Sequence, residues 1–390
     1  MIFRSILLLS FFSLLIHSTV GCGILYAIAA QTPTGTGDNL RGQPLQNPFK
    51  GPADTSNAWN IPVLCYHAFY DHNSSRTPGP LDESYKAFED MLHYLRSKGF
   101  RSFLPAVDPL YGEPDPQKVV ITLDDGHVSQ FRAAELLEKY DMRGIFFVIP
   151  SLIDAPDNPH MSAAQLSELA SRGHLIGVHG HRHASMPAYG PEIIAVRDTV
   201  PGILKQIPGI TDKNLHSLAF PFGHYTPAVK RSMRSRYPLQ YTVNPGYWDG
   251  QSTLIPRILI TRDTDRDFYY AYLSGAMAGP RVLTMREPNG SRQSVIHFEN
   301  PGMLDPGTLY IRVVSPDNNG RHYDIRPATP FLSVDDRYGN VLVFDVSGFM
   351  NAYHPVNHRA LSFVVTKKEK GAYRFVSDGY LIWVNRVDTD

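Results

Sequence analysis

From residue 61 onward, short apolar runs alternate with longer amphipathic ones, and this alternation sets the first expectation of fold. IPVLCYH (61–67), KVVITLDD (118–125), GIFFVI (144–149), HLIGVH (174–179), LHSLAFPF (215–222), LQYTVNP (239–245) and LIPRILI (254–260) are brief, β-branched or aromatic, and bounded by turn formers, as strands are. Between them, apolar positions at helical spacing predict helices over 83–98, 128–140, 163–172, 191–205 and 227–236. The third has Ser162 as N-cap, Gln165 three residues later, and Gly173 as terminator. Strands alternating with helices imply a mainly parallel sheet, open or closed into a barrel.

After about residue 280 the pattern changes. TLYIRVVSP (308–316), NVLVFDVSGF (340–349), LSFVVTKKEKGAYRFV (361–376) and GYLIWVNRV (379–387) read as strands joined by turns such as DNNG (317–320) and DRYGN (336–340), with no helix expected between them. They predict an all-β, sandwich-like module over 280–390. At the other end, residues 1–30 place Arg4 ahead of an apolar stretch and finish in small residues, the pattern of a secretory signal. Three fates are open to it: cleavage at Cys22 as a lipoprotein, cleavage near AIAA (27–30), or retention as a membrane anchor. Residues 31–58 are rich in Pro, Gly, Asn and Thr without an apolar period, which predicts a flexible linker. The expected organisation is a signal or anchor (1–30), a linker (31–58), an α/β domain (59–279) and the β module (280–390), in a protein exported to the periplasm, cell envelope or exterior.

Lysine plus arginine equals aspartate plus glutamate at 37 each, and no basic run supplies a local field, which argues against a nucleic-acid partner and for a neutral or weakly charged one. Two cysteines, Cys22 and Cys65, permit one disulfide at most, so the apolar core must carry the fold. No feature of the chain sets an oligomeric state.

The chemistry gathers at two predicted strand ends. Asp124, Asp125 and Gly126 terminate one, and alone they read equally as a turn with helix N-terminal charge. His179, His181 and His183 terminate another. His179 and His183 are four residues apart, so a helical turn or curled loop aims both rings at one point, whereas an extended strand puts all three on one face. Two imidazoles and one carboxylate form a facial metal site with positions left for water and substrate. One aspartate can then serve as ligand while its neighbour stays free as a general base, which points to hydrolysis.

ITLDDG, a helix, GIFFV and then RGHLIGVHGHRHASM resemble the NodB-homology polysaccharide deacetylases, whose first two motifs read approximately T-F-D-D-G and H-[ST]-x-x-H. The resemblance spans about residues 60–275. It implies an irregular (β/α) barrel of about seven strands, a metal on Asp125, His179 and His183, and Asp124 as base. Zinc is the default, with nickel, cobalt or iron suited to the same donors. The third motif, usually R-P-P-[YF]-G, is AFPFG here, with Ala219 in place of the arginine that orients the base, so that orientation must come from elsewhere. The Phe222 amide would be the oxyanion donor. FPFG, TVNPG (242–246) and LIPRILI look most like the subgroup acting on biofilm poly-N-acetylglucosamine.

For the general acid, His67 closes the first strand and is the candidate; His297 in SVIHFEN is read as an ordinary strand histidine. His127, His181 and His224 are placed at the rim, and His72, His160 and His174 on the surface. Trp248 in PGYWDG is a candidate for stacking on a sugar ring. These readings make the chain a metal-dependent hydrolase removing N-acetyl groups from an acetylated glycan polymer containing N-acetylglucosamine. The rivals are an O-acetyl xylan esterase or other C–N hydrolase, and, prompted by the missing arginine, a catalytically weak glycan-binding protein.

Overall fold

A computed structural model describes residues 59–73, 77–111, 114–156, 158–286, 295–314, 324–329, 331–335, 340–353 and 360–383. The signal, Cys22 and linker expectations at 1–58, the DNNG turn and most of DRYGN lie outside these residues. The described residues all fall within one compact unit, Pro52–Asp390.

Six strands, Val63–Tyr66, Lys118–Leu123, Ile145–Val148, Leu175–Val178, Ser217–Ala219 and Leu239–Tyr241, lie side by side in chain order, every pair parallel. One segment supplies the seventh position in two halves. Leu254–Ile255 pairs with Leu239–Tyr241, and Ile258–Leu259 pairs with Val63–Tyr66, so the chain between them joins the two ends of the sheet. The result is the irregular (β/α) barrel.

Period-two alternation sorts the strand residues. Val63, Val120, Ile145, Phe147, Leu175, Ala219, Tyr241 and Ile255 share one apolar cluster within the ring. The alternate residues, including Leu64, Ile121, Leu123, Phe146, Val148, Ile176, Val178 and Leu218, pack outward in the cluster shared with the helices. Continued by the same period, the inner rows run through Cys65, Thr122, Asp124 and His179, so the polar groups stand at the carboxyl edge above an apolar floor.

Helices cover the outer face. Tyr85–Ser97 starts on the Ser84 hydroxyl, and Ala163–Ser171 on the expected Ser162–Gln165 capping box. The helix expected over 191–205 is divided into Gly190–Ile194, a π-helical turn Ala195–Thr199, and Val200–Leu204. Pro201 has no N–H to continue the ladder there, which is a physical reason for the break.

The later strands form two antiparallel sheets, one containing Val295–Glu299 and Val341–Asp345, the other Leu309–Val314 and Ala360–Glu369. Ile296, Phe298, Leu342 and Phe344 of the first share a core with Ile311, Val313, Phe363 and Val365 of the second, as in a sandwich. One expectation fails: Val346–Tyr353 is a helix, although no helix was expected in this region. Asp345 accepts the Gly348 N–H at 2.8 Å, an N-terminal cap that turns an apolar run out of its strand. Val364, Phe375 and Leu381 join the cluster that packs the barrel's outer face. Among the described residues, no helix is long and apolar enough to cross a membrane.

Candidate metal centre and active site

Three of the chemically distinctive residues sit on strained backbone beyond a strand end. Of the seven non-glycine residues with positive φ among those described, Asp125 (76°), His183 (57°) and Phe222 (58°) border one site, a concentration that marks backbone held against its preference. Ligating oxygen and nitrogen atoms of Asp125, His179 and His183 all lie within 4.8 Å of one another. Asp125 Oδ1 is 3.3 Å from His179 Nε2 and 3.4 Å from His183 Nε2.

The tautomer of His179 makes this geometry informative. Its Nδ1 is 3.0 Å from the Ala219 carbonyl, which can only accept, so in the neutral ring the proton sits there and Nε2 presents a bare lone pair to Asp125. Asp125 Oδ1 is buried and makes no hydrogen bond. Lone pairs converging on one point call for a cation, and these three residues could hold one. Burial pushes the His183 imidazole down to about 4, so that ring is neutral at physiological pH, whereas Asp124 and Asp125 outweigh burial at His179 and raise it, so a cation bound there would displace a proton from Nε2. Burial works against ionisation of Asp125, but His179, His67 and His183 outweigh it and hold the carboxyl well below the usual range.

Asp124 points elsewhere. Its two oxygens are 2.6 and 2.7 Å from Nη1 and Nη2 of Arg257, a bidentate pair in which both side chains are almost wholly buried. Burial alone would raise the Asp124 carboxyl; Arg257 and then His179 reverse this and keep it below its ordinary value. Arg257 also donates from Nε to the Thr242 carbonyl at 2.8 Å and from Nη1 to Thr122 Oγ1 at 3.0 Å. The arginine missing at Ala219 is thus supplied by LIPRILI, from the interruption between the two half-strands that join the sheet ends. The subgroup resemblance of LIPRILI gave Arg257 no role of its own. The available signal was an arginine alone in an apolar run, where burial requires a charged partner.

His67 turns towards the same carboxylates, with one of its ring nitrogens, Cys65 Sγ and an Asp124 oxygen within 4.8 Å of one another. Its Nδ1 is buried and makes no hydrogen bond, and burial lowers its basicity against the pull of Asp125 and Asp124. This second cluster is a poorer cation site than the first, because both Asp124 oxygens are already committed to Arg257 and the Cys65 thiol, raised by burial, lies 3.5 Å from one of them. Phe222 is exposed, with its ring centroid 4.4 Å from that of His183.

Two supporting side chains went unrecognised in the sequence. Gln130, fully buried, donates to the backbone carbonyls of Asp124 at 2.5 Å and His67 at 3.0 Å, tying two strand ends together. Glu192 is 1% exposed and accepts the backbone N–H groups of His181 at 2.5 Å and Arg182 at 2.9 Å, which clamps the loop between His179 and His183. Gly180 permits that approach, since a Cβ there would sit 2.8 Å from Glu192 Oε1. Both lie in helical runs, where a polar residue on the inner face looks no different from a solvated one.

Other expected positions are corrected. Trp248 is 4% exposed, packed with Trp59 and Phe103 in the inner cluster and bonded through Nε1 to the Ser252 carbonyl at 2.9 Å, so it offers no face to a sugar. His174 is buried rather than on the surface, its ring against Phe146 and its Nε2 2.9 Å from Glu138. His224, expected at the rim, is also buried, with Nδ1 3.1 Å from Ser185 Oγ. His297 lies within an antiparallel strand of the β module.

The parallel barrel carries DDG and HGHRH at the ends of two strands with only Ile145–Val148 between them, the arrangement that the motif resemblance implied. Residues 111–241 match the model of the family described as polysaccharide deacetylase, which bears out that resemblance. Similar solved structures include a polysaccharide deacetylase from Bacillus cereus (19% identity over 55% of this chain and 69% of that one, TM-score 0.47). IcaB from Ammonifex degensii is 26% identical over 56% of this chain and 98% of its own, with TM-score 0.46. The BpsB deacetylase domain from Bordetella bronchiseptica is 19% identical over 52% and 96%, with TM-score 0.39. No curated protein sequence matches.

Proposed function

We propose that this chain is a metal-dependent N-deacetylase of an exported N-acetylglucosamine polymer of the poly-N-acetylglucosamine type. The observation that carries the reading is the division of labour between adjacent aspartates: Asp125 converges with His179 and His183, while Asp124 is held apart on Arg257. A divalent cation, by default zinc, would polarise the acetyl carbonyl and lower the pKa of a water from about 15.7 to about 7.

The chain's own groups complete the reaction. Asp124, ionised beside Arg257, removes a proton from the attacking water. The Phe222 amide donates to the oxyanion as the carbonyl carbon becomes tetrahedral. His67, in its protonated form, passes a proton to nitrogen as the C–N bond breaks, leaving acetic acid and a free amine; the acid ionises to acetate, Asp124 releases the proton it took, and His67 is reprotonated from solvent. Arg257 removes the motive for the glycan-binding alternative, because the base has its orienting partner after all. The export pattern at residues 1–30 suits a polymer met outside the cytoplasm.

Amine release is the test. The protein assayed on poly-N-acetylglucosamine oligomers, chitooligosaccharides and acetylated xylan, with metal analysis of the same sample, is expected to expose amines on the first most rapidly. Chelation should abolish the activity and added zinc restore it. Acetate release confined to xylan would overturn the N-deacetylase assignment, and turnover indifferent to chelation would overturn the metal.

Glu192→Ala is expected to weaken metal binding about 10- to 100-fold, as losses of groups that orient ligands do, because two loop N–H groups lose their acceptor. Metal titration of chelated protein measures this; unchanged affinity would show that the loop is held without Glu192.

A further inference from the structure

We infer that the C-terminal β module sets the position of the base through hydrogen bonds that run from Ser362 and Gly379 to Asn244, from Asn244 to Arg257, and from Arg257 to Asp124. The inference rests on the reading of Asp124 as base. Its starting point is the placement of Arg257. The ladder residues on either side are Ile255 and Ile258, so Arg257 falls in the interruption between two half-strands; its N–H donates instead to the Asn244 carbonyl at 3.1 Å. Its Nε donates to Thr242 in the same loop. Apart from Thr122 and Asp124 itself, the groups that hold Arg257 are thus the carbonyls of residues 242 and 244.

That loop is held from the module side. Asn244 is 2% exposed, and its side-chain oxygen accepts from Ser362 Oγ at 3.0 Å. Its Nδ2 donates to Tyr225 Oη at 2.9 Å and to the Gly379 carbonyl at 3.3 Å, and its own N–H donates to Thr242 Oγ1 at 3.1 Å. Ser362 is fully buried in the long strand Ala360–Glu369, whose neighbour Val364 packs into the cluster on the barrel's outer face. Gly379 makes the approach by lacking a side chain: a Cβ there would lie 2.2 Å from the Pro245 carbonyl oxygen. A module strand, at Ser362, and the residue before another, Gly379, thus press on the loop that carries the arginine's acceptors, and residues 242–245 of that loop are all buried.

Asn244 and Ser362 are positioning residues, so the test must separate position from stability. Ser362→Ala is expected to lower kcat about 2- to 10-fold, the range of a lost hydrogen bond, with KM and metal content unchanged. In an Arg257→Lys background, where the fork to Asp124 is already broken, the same substitution should have no further effect on kcat. If Ser362→Ala does not fold, Asn244→Ser, whose side chain is too short to reach Ser362, reads the same coupling in the same background. Multiplicative losses in the double variant, or a Ser362→Ala protein with a lowered melting temperature and wild-type kcat, would overturn the inference. Asp124→Asn assayed in parallel distinguishes the failures. If it turns over normally, the base assignment has failed; if it is inactive while the other two losses multiply, only the relay has.

Discussion

Asp124→Asn is expected to bind metal as tightly as the parent and to release acetate about 10² to 10⁴ times more slowly, the range a positioned general base contributes. The expectation follows from geometry: the converging trio Asp125, His179 and His183 does not include Asp124, and the two oxygens of Asp124 face Arg257. The amide keeps the size of the carboxylate but cannot take the water proton. Metal analysis and single-turnover kinetics on the same preparation check both halves. Full turnover would remove Asp124 as the base, and loss of metal would place it among the ligands.

Arg257→Met should have the largest effect on stability. It strips the partner from a carboxylate that is 2% exposed, and removing one member of a buried ion pair costs about 3–5 kcal/mol. The double variant Asp124→Asn/Arg257→Met removes both charges and should recover most of that loss, since a buried pair replaced by neutral groups is close to neutral in stability. Arg257→Lys keeps the charge but not the fork, and is expected to stay folded while losing turnover. Denaturant unfolding of the four variants beside kcat decides the matter. An Arg257→Met protein as stable as the parent would mean that Asp124 is neutral when buried.

How much of this could be read from the chain depends on how local each feature is. The barrel strands follow from runs such as Lys118–Leu123 and Ile145–Val148, where β-branched and aromatic residues sit between turn formers. The meeting of Asp125 with His179 and His183 was legible because both segments end at the same edge of a parallel sheet. Arg257 was not, since its role depends on a contact 133 residues away in sequence. Trp248 failed for the opposite reason: a loop aromatic beside Gly and Asp looks exposed until Trp59 and Phe103 are seen around it. The helix Val346–Tyr353 failed because an apolar run of that length fits either period, and the Asp345 cap that decides it is a single residue.

The segment that seals the ring also carries the partner of Asp124. On the proposed chemistry, a nascent chain gains turnover only once the two half-strands Leu254–Ile255 and Ile258–Leu259 have joined the free edges of the sheet, however complete the rest of the barrel. Recovery of activity during refolding should lag recovery of helical signal, and a nick near Pro256 should silence the enzyme while leaving most of its secondary structure standing.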